Sequence, residues 1–247
     1  MGLAYHAAVE AIVQGIDAYQ PMFDAAFGAP NTPVTIDNIV KAIAAFERTL
    51  LTPNSPYDQY INGDSGAMTA NQIAGMNLFQ SVNCIQCHAD ELLAKQGVPG
   101  TPFLQKFPKF PANTDFIAFD ATYDLTSDLG RGEFTGNAAD NNKFKVPSLR
   151  NVAVTAPYFH NGSVSDLAEA VRIMAAGQLD TTLTETEVNQ IVDFLGATTG
   201  DLPDPTPVVV PDNPPVGVPV MPPLFALLLV IALPVLVRKH LVARLGK

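Results

Sequence analysis

Residues 83–88 read Asn-Cys-Ile-Gln-Cys-His, and this hexapeptide constrains the fold more than any other part of the chain. Cys84 and Cys87 are the only cysteines, and His88 follows them directly. Two thiols one helical turn apart can add to the two vinyl groups of a heme, and the next histidine then falls beneath the iron. Other chemistries open to a C-x-x-C pair need more than the chain supplies. A structural zinc site draws four ligands, usually from two such pairs, and there is no second pair. A thioredoxin-type dithiol belongs in a βαβ setting, whereas the run before Cys84 has a helical period. A secreted disulfide framework needs more cysteines at wider spacing. The motif therefore predicts one covalent heme c, tied at Cys84 and Cys87, with His88 as an axial ligand of the iron.

The surrounding pattern predicts a mainly α, cytochrome c-like helical heme domain. Residues 1–50 read as a helical N-terminal or inter-domain segment. Tyr5 to Tyr19 is rich in Ala, Val and Ile, and Thr35 can cap a helix with Ile36, Ile39, Val40, Ile43 and Phe46 on one stripe. The heme domain is expected over 51–200. Within it, 51–66 reads as a turn-rich link, and Thr69 opens a helix with Ile73, Met76 and Phe79 on one face. Residues 89–150 hold no sustained period and are expected to be a long irregular insertion, ordered by the buried heme. Ser165 can cap a helix with Leu167, Ala170, Val171 and Met174 at its apolar positions. Thr184 and Glu187 form a capping-box pattern before Val188, Ile191, Val192 and Leu195, and Gly196 can end that helix.

The opposite axial position has several candidates. A sulfur ligand raises the heme potential and suits electron transfer. Met68 and Met76 precede the cysteines too closely to reach the far heme face with ease, and Met22 and Met174 remain in the body. Met174 lies on the apolar face of its helix, where packing alone would also account for it. His160 is the rival ligand. Spacing does not choose among them.

Beyond residue 200 the composition changes twice. Nine prolines fall between Pro203 and Pro223, so 201–223 is expected to be a semi-extended linker. Leu224 to Val237 carries no charge and is followed at once by Arg238, Lys239 and His240. Fourteen helical residues span only about 21 Å against a hydrocarbon core of about 30 Å, so flanking residues must help. A buried core helix is the alternative, but the proline spacer and basic end favour a C-terminal helix over 224–247 that anchors in a membrane, or acts as a sorting signal. The first 237 residues hold ten Lys and Arg against twenty-four Asp and Glu. So acidic a body argues against nucleic acid as a partner and suits a basic partner protein, with plain solubility as the competing reading.

Several long runs carry a specific resemblance: AIAAFERTL (42–50), SPYDQYINGD (55–64), the C-x-x-C-H, DLGRGEFTG (128–136), FKVPSLRNVAVTAPYFHNGS (144–163) and LTETEVNQIVDFL (183–195). In this order they resemble the C-terminal half of the bacterial diheme cytochrome c peroxidase family. The resemblance implies a high-potential, electron-accepting heme with His88 and Met174 as axial ligands. It implies a calcium held partly by the backbone carbonyls of Thr155 and Pro157, and it makes Arg131 and Arg150 candidates to face heme propionates, with a surface ion pair as the competing role. The family's other half, with a second heme and the peroxide-reducing residues, has no counterpart here: there is no further C-x-x-C-H and no tryptophan to relay electrons.

Two functions follow as expectations. One is the electron-entry part of a membrane-anchored peroxidase, which accepts electrons from a small cytochrome c and passes them toward a peroxide-reducing heme in a missing domain or partner subunit. The other is a single-heme, membrane-anchored electron carrier without peroxidase activity. A related diheme type that oxidises protein tryptophans uses a tyrosine ligand, against which Met174 counts. Heme attachment implies the periplasmic side, with the C-terminal helix in the inner membrane. The N-terminal residues lack the basic start and apolar core of an export signal, which suggests a fragment of a longer gene product or export with a partner. A homodimer is left open.

Overall fold

The computed structural model describes residues 6–89, 93 and 103–202. The proline linker from 203 and the apolar run at 224–237 lie outside them. The chain divides between Leu50 and Leu51 into two compact units. Among the described residues no helix is long and apolar enough to cross a membrane.

The first unit holds three helices: α1 (His6–Gln14), α2 (Tyr19–Phe27) and α3 (Ile36–Glu47). The Ala- and Val-rich run up to Tyr19 is not one helix, because it breaks after Gln14 at Gly15. Thr35 caps α3 as expected, its hydroxyl accepting the Asn38 N–H at 3.3 Å. Phe23, Val34 and Ile39 form the small core, with Val9, Val13 and Tyr19 packed on it. Of the α3 stripe, Ile39 is buried, whereas Val40, Ile43 and Phe46 face outward.

The second unit is mainly helical and contains the C-x-x-C-H motif. Its first element, α4 (Pro56–Ile61), lies where a turn-rich link was expected. The signal for it is Ser55: its side chain accepts from the Asp58 N–H, and the Asp58 carboxylate accepts from the Ser55 N–H at 3.1 Å, a capping box with Pro56 at the first helical position. Helix α5 (Ala70–Ser81) opens with a second box between Thr69 and Gln72.

The stretch expected to be irregular contains regular elements. Strand β1 (Leu104–Lys106) pairs antiparallel with β2 (Lys143–Lys145), Gln105 opposite Phe144. Between them lie α6 (Thr114–Tyr123) and the short α7 (Arg131–Thr135). Helix α6 escapes a periodicity test because Ile117 points to solvent while Phe116 is fully buried; the cap at Asn113, which accepts from the Phe116 N–H at 3.0 Å, is its clearest local mark.

Two long helices close the unit, α8 (Leu167–Leu179) and α9 (Glu185–Ala197). The cap of α8 is Asp166, one residue later than the expected Ser165: the Asp166 carboxylate accepts from the Glu169 N–H at 2.8 Å. The Thr184–Glu187 box opens α9 as expected, but the helix runs through Gly196 and ends at Thr198. Helices α5 and α9 cross in close contact at Gly75. A Cβ there would overlap the Gln190 carbonyl oxygen and lie 3.0 Å from the Phe194 Cβ.

The interior of this unit comprises two clusters. One gathers Met68, Phe79, Leu93, Ile191, Phe194 and Leu195, with Cys84, Leu149 and Val171 against it. The other gathers Phe107, Phe116, Leu125, Val164, Ile173 and Ala176, with Phe144, Tyr158 and Met174 against it. Helix α8 serves both, Val171 on the first and Ile173 and Met174 on the second. Gly177 lets α8 approach α6, since a Cβ on it would stand 2.6 Å from the Phe116 ring.

Candidate heme-attachment site

Helix α5 ends at Ser81, and the chain turns through Asn83, whose backbone is left-handed (φ 71°). A 3₁₀ turn over Cys84–Gln86 follows, with the Cys87 and His88 N–H groups both donating to the Cys84 carbonyl, at 3.2 and 3.0 Å. This compact turn brings both thiols and the imidazole together at the end of α5. The cysteines are not joined in a disulfide. Burial pushes the Cys84 thiol up to about 12, so it is protonated at neutral pH rather than poised as a thiolate.

The His88 ring packs near Phe79, 6.4 Å between centroids, and its Nδ1 lies 3.1 Å from the Leu93 carbonyl oxygen. The Pro147 carbonyl lies near enough to favour the protonated ring. Burial lowers the histidine's proton affinity, and the two carbonyls oppose that shift; the ring is neutral at pH 7. With Nδ1 as the donor to Leu93, Nε2 keeps its lone pair for a metal, the arrangement a ligating histidine adopts. The turn and the oriented imidazole fit a covalently attached heme.

The remaining candidates fall in different places. Met174 is partly buried on the second cluster. His160 stacks flat on Phe144, 4.2 Å apart and 16° between planes, and Phe144 packs on that same cluster. Met22 belongs to the first unit and is exposed.

Arg131, at the start of α7, donates from Nε to Asp140 at 3.3 Å, and Lys143 pairs with the other oxygen of that carboxylate at 3.1 Å. Arg150 is more enclosed, its side chain 15% exposed. Its Nη2 and Nη1 grip the two Asp58 oxygens at 2.7 and 2.9 Å, and the guanidinium lies 5.7 Å from the Tyr57 ring centroid. Thr155 and Pro157 lie on an exposed loop that contains a cis Ala156–Pro157 bond, with the Thr155 hydroxyl donating to the Val152 carbonyl at 3.3 Å. Among the described residues no group of three or more His, Cys, Asp or Glu could hold a metal ion.

Sequence reasoning missed Asp58, Leu93 and Pro147. A capping-box test on Ser-Pro-Tyr-Asp would have found Asp58. The two carbonyls carry no signal in side-chain identity.

The family described as "Di-haem cytochrome c peroxidase" matches residues 1–66. The chain is 40% identical over 200 residues to the cytochrome c551 peroxidase of Nitrosomonas europaea, covering 81% of this chain and 54% of that protein. It is 39% identical over 196 residues to the cytochrome c551 peroxidase of Pseudomonas aeruginosa, covering 79% and 53%. The crystal structure of a MauG-like protein associated with microbial copper homeostasis aligns with a TM-score of 0.59 at 27% identity, over 79% of this chain and 62% of that one. The chain thus spans about half the length of the curated relatives it matches. Together these matches place the chain among the relatives of the di-haem cytochrome c peroxidases.

Proposed function

We propose that this chain is an electron-transfer c-type heme unit that accepts electrons from a small cytochrome c and passes them toward a peroxide-reducing heme. The observation that carries the reading is the His88 imidazole, presented beside Cys84 and Cys87 with Nδ1 held by the Leu93 carbonyl. The peroxidase names of its relatives support the same direction.

In this reading Cys84 and Cys87 form the thioether links, and His88 ligates the iron through Nε2. Met174 supplies the sulfur ligand. What supports that role is that α8 touches both clusters, Val171 packing on the one that Cys84 also joins and Met174 on the other. When bound, the heme supplies a one-electron ferric/ferrous couple. The chain's own residues orient the imidazole, exclude water with Phe79 and Leu93, and keep the potential high through sulfur. Arg131, largely exposed, is a candidate to reach a propionate, and the Thr155 and Pro157 carbonyls are candidate calcium donors. The periplasmic location and the C-terminal membrane anchor belong to the same proposal. The acidic body suits a basic donor protein.

The test is the heme-loaded chain produced with a c-type maturation system. One covalent heme per chain is expected, with a sulfur-ligated ferric spectrum. Met174→His should lower the midpoint potential while the heme stays attached. Persistence of the sulfur-ligated spectrum in that variant would remove Met174 from the iron. A single-heme carrier is separated by supplying electrons and peroxide together with the relatives' other half: no gain in peroxide turnover would favour the carrier.

A further inference from the structure

We infer that Leu93 is a positioning residue for His88: its buried side chain locks a left-handed backbone that aims the Leu93 carbonyl at the imidazole. The inference rests on the reading of His88 as an iron ligand.

Leu93 has φ 47°. Among the described residues, the other non-glycine residues with positive φ are all Asn or Asp, apart from Phe159. Asn and Asp enter this region readily, because a short polar side chain can hydrogen-bond to the nearby backbone. Leucine has no such compensation, so contacts beyond the local chain must hold it there. Its own side chain supplies them. Leu93 is 5% exposed and packs in the cluster that gathers Met68, Phe79, Ile191, Phe194 and Leu195. Phe79 belongs to α5, and Ile191, Phe194 and Leu195 belong to α9. The Phe79 ring lies 5.4 Å from that of Phe194 and 6.4 Å from that of His88, centroid to centroid.

The carbonyl of the same leucine lies 3.1 Å from His88 Nδ1. One residue therefore carries both the anchor and the acceptor. The turn at Cys84 fixes the His88 backbone, whose N–H donates to the Cys84 carbonyl at 3.0 Å, but it does not fix the rotation of the ring. That rotation is left to the Nδ1 bond and the Phe79 contact.

A carbonyl on the ring N–H of a ligating histidine raises the basicity of the other nitrogen and so favours the ferric state. Without the Leu93 side chain the backbone can leave the left-handed region and the carbonyl can turn away. The effect then weakens, and the potential moves up. A side chain that only kept water from the heme would act with the opposite sign, since water favours the more charged ferric state.

The experiment compares the heme-loaded full-length chain with Leu93→Ala, Leu93→Gly and Leu93→Met. It reads midpoint potential, heme per chain, the thermal melt and, by NMR of the ferrous state, the exchange rate of the His88 Nδ1 proton. The expected result is an upward shift of potential in Leu93→Ala and Leu93→Gly, with faster exchange of that proton and unchanged heme content. Leu93→Met, close to leucine in volume, should shift least. A lowered melt with unmoved potential and exchange would overturn the proposal, leaving Leu93 a packing residue only. A downward shift would also overturn it, since water exclusion would then be its role. If the Ala and Gly variants fail to fold, Leu93→Val keeps an apolar side chain while its β-branching resists the left-handed backbone. An upward shift is again expected there, and an unmoved potential would refute the idea. Failure of the underlying reading shows separately: His88→Ala would leave the iron's axial spectrum as it was.

Discussion

Substituting alanine at Gly75 and at Gly196 should change stability in opposite directions, although both glycines lie within helices. Intrinsic propensity favours alanine at either position by about 1 kcal/mol, less near a helix end. At Gly196 a Cβ meets nothing within 4 Å, so the propensity gain stands, about 0.5 kcal/mol so close to the end of α9. At Gly75 the Cβ would overlap the Gln190 carbonyl oxygen and lie 2.5 Å from its carbon. Those atoms are backbone of α9, so no rotamer change relieves the overlap and the helices must move apart. Overpacking of this kind costs about 1–3 kcal/mol, here at the upper end, leaving a net loss of about 2 kcal/mol after the propensity gain. For a unit of this size that is a fall in melting temperature of roughly 4–8 °C. Because α5 leads directly into Cys84, heme content per chain should fall with it. Thermal and denaturant unfolding of the two variants beside the parent decide the matter. A Gly75→Ala protein as stable as the parent would mean that the α5–α9 contact is not the tight crossing described above.

Other outcomes follow from the same geometry. Gly177→Ala should also destabilise, but by less than Gly75→Ala, because the obstructing atoms belong to the Phe116 ring, which can tilt; denaturant midpoints of the two variants give the order. Asp58 gives a pH dependence. Its carboxyl sits below its unfolded value, so the pair's contribution is fully present above the unfolded value near 4 and is lost as pH falls through the lower folded value. Asp58→Asn should therefore flatten the acid limb of stability below about pH 4, and an unchanged limb in urea titrations at several pH values would discount the pair.

The helix starts at Thr35, Thr69 and Thr184 were legible because a cap and its partner lie within four residues, a distance over which sequence and structure nearly coincide. The same rule slipped by one at α8: Ser165 and Asp166 are both capping types, and only the backbone turn selects Asp166. It went unused at Ser55, where proline and asparagine nearby suggested only a turn. Helix α6 and the β1–β2 pair were hidden for a different reason. Phe116 is buried against Gly177, some sixty residues away, and Gln105 finds its partner at Phe144; no local period records either contact.

For the site, the sequence by itself determined which side chains are brought together: two cysteines and a histidine at the spacing expected for heme attachment. It named both arginines and methionines without saying what each touches. Tertiary structure decided that Arg150 faces Asp58, that His160 lies flat on Phe144, and that the Leu93 carbonyl holds the imidazole. Those facts depend on backbone atoms and on partners distant in sequence, whereas the motif depends on five consecutive residues and the geometry of a single turn.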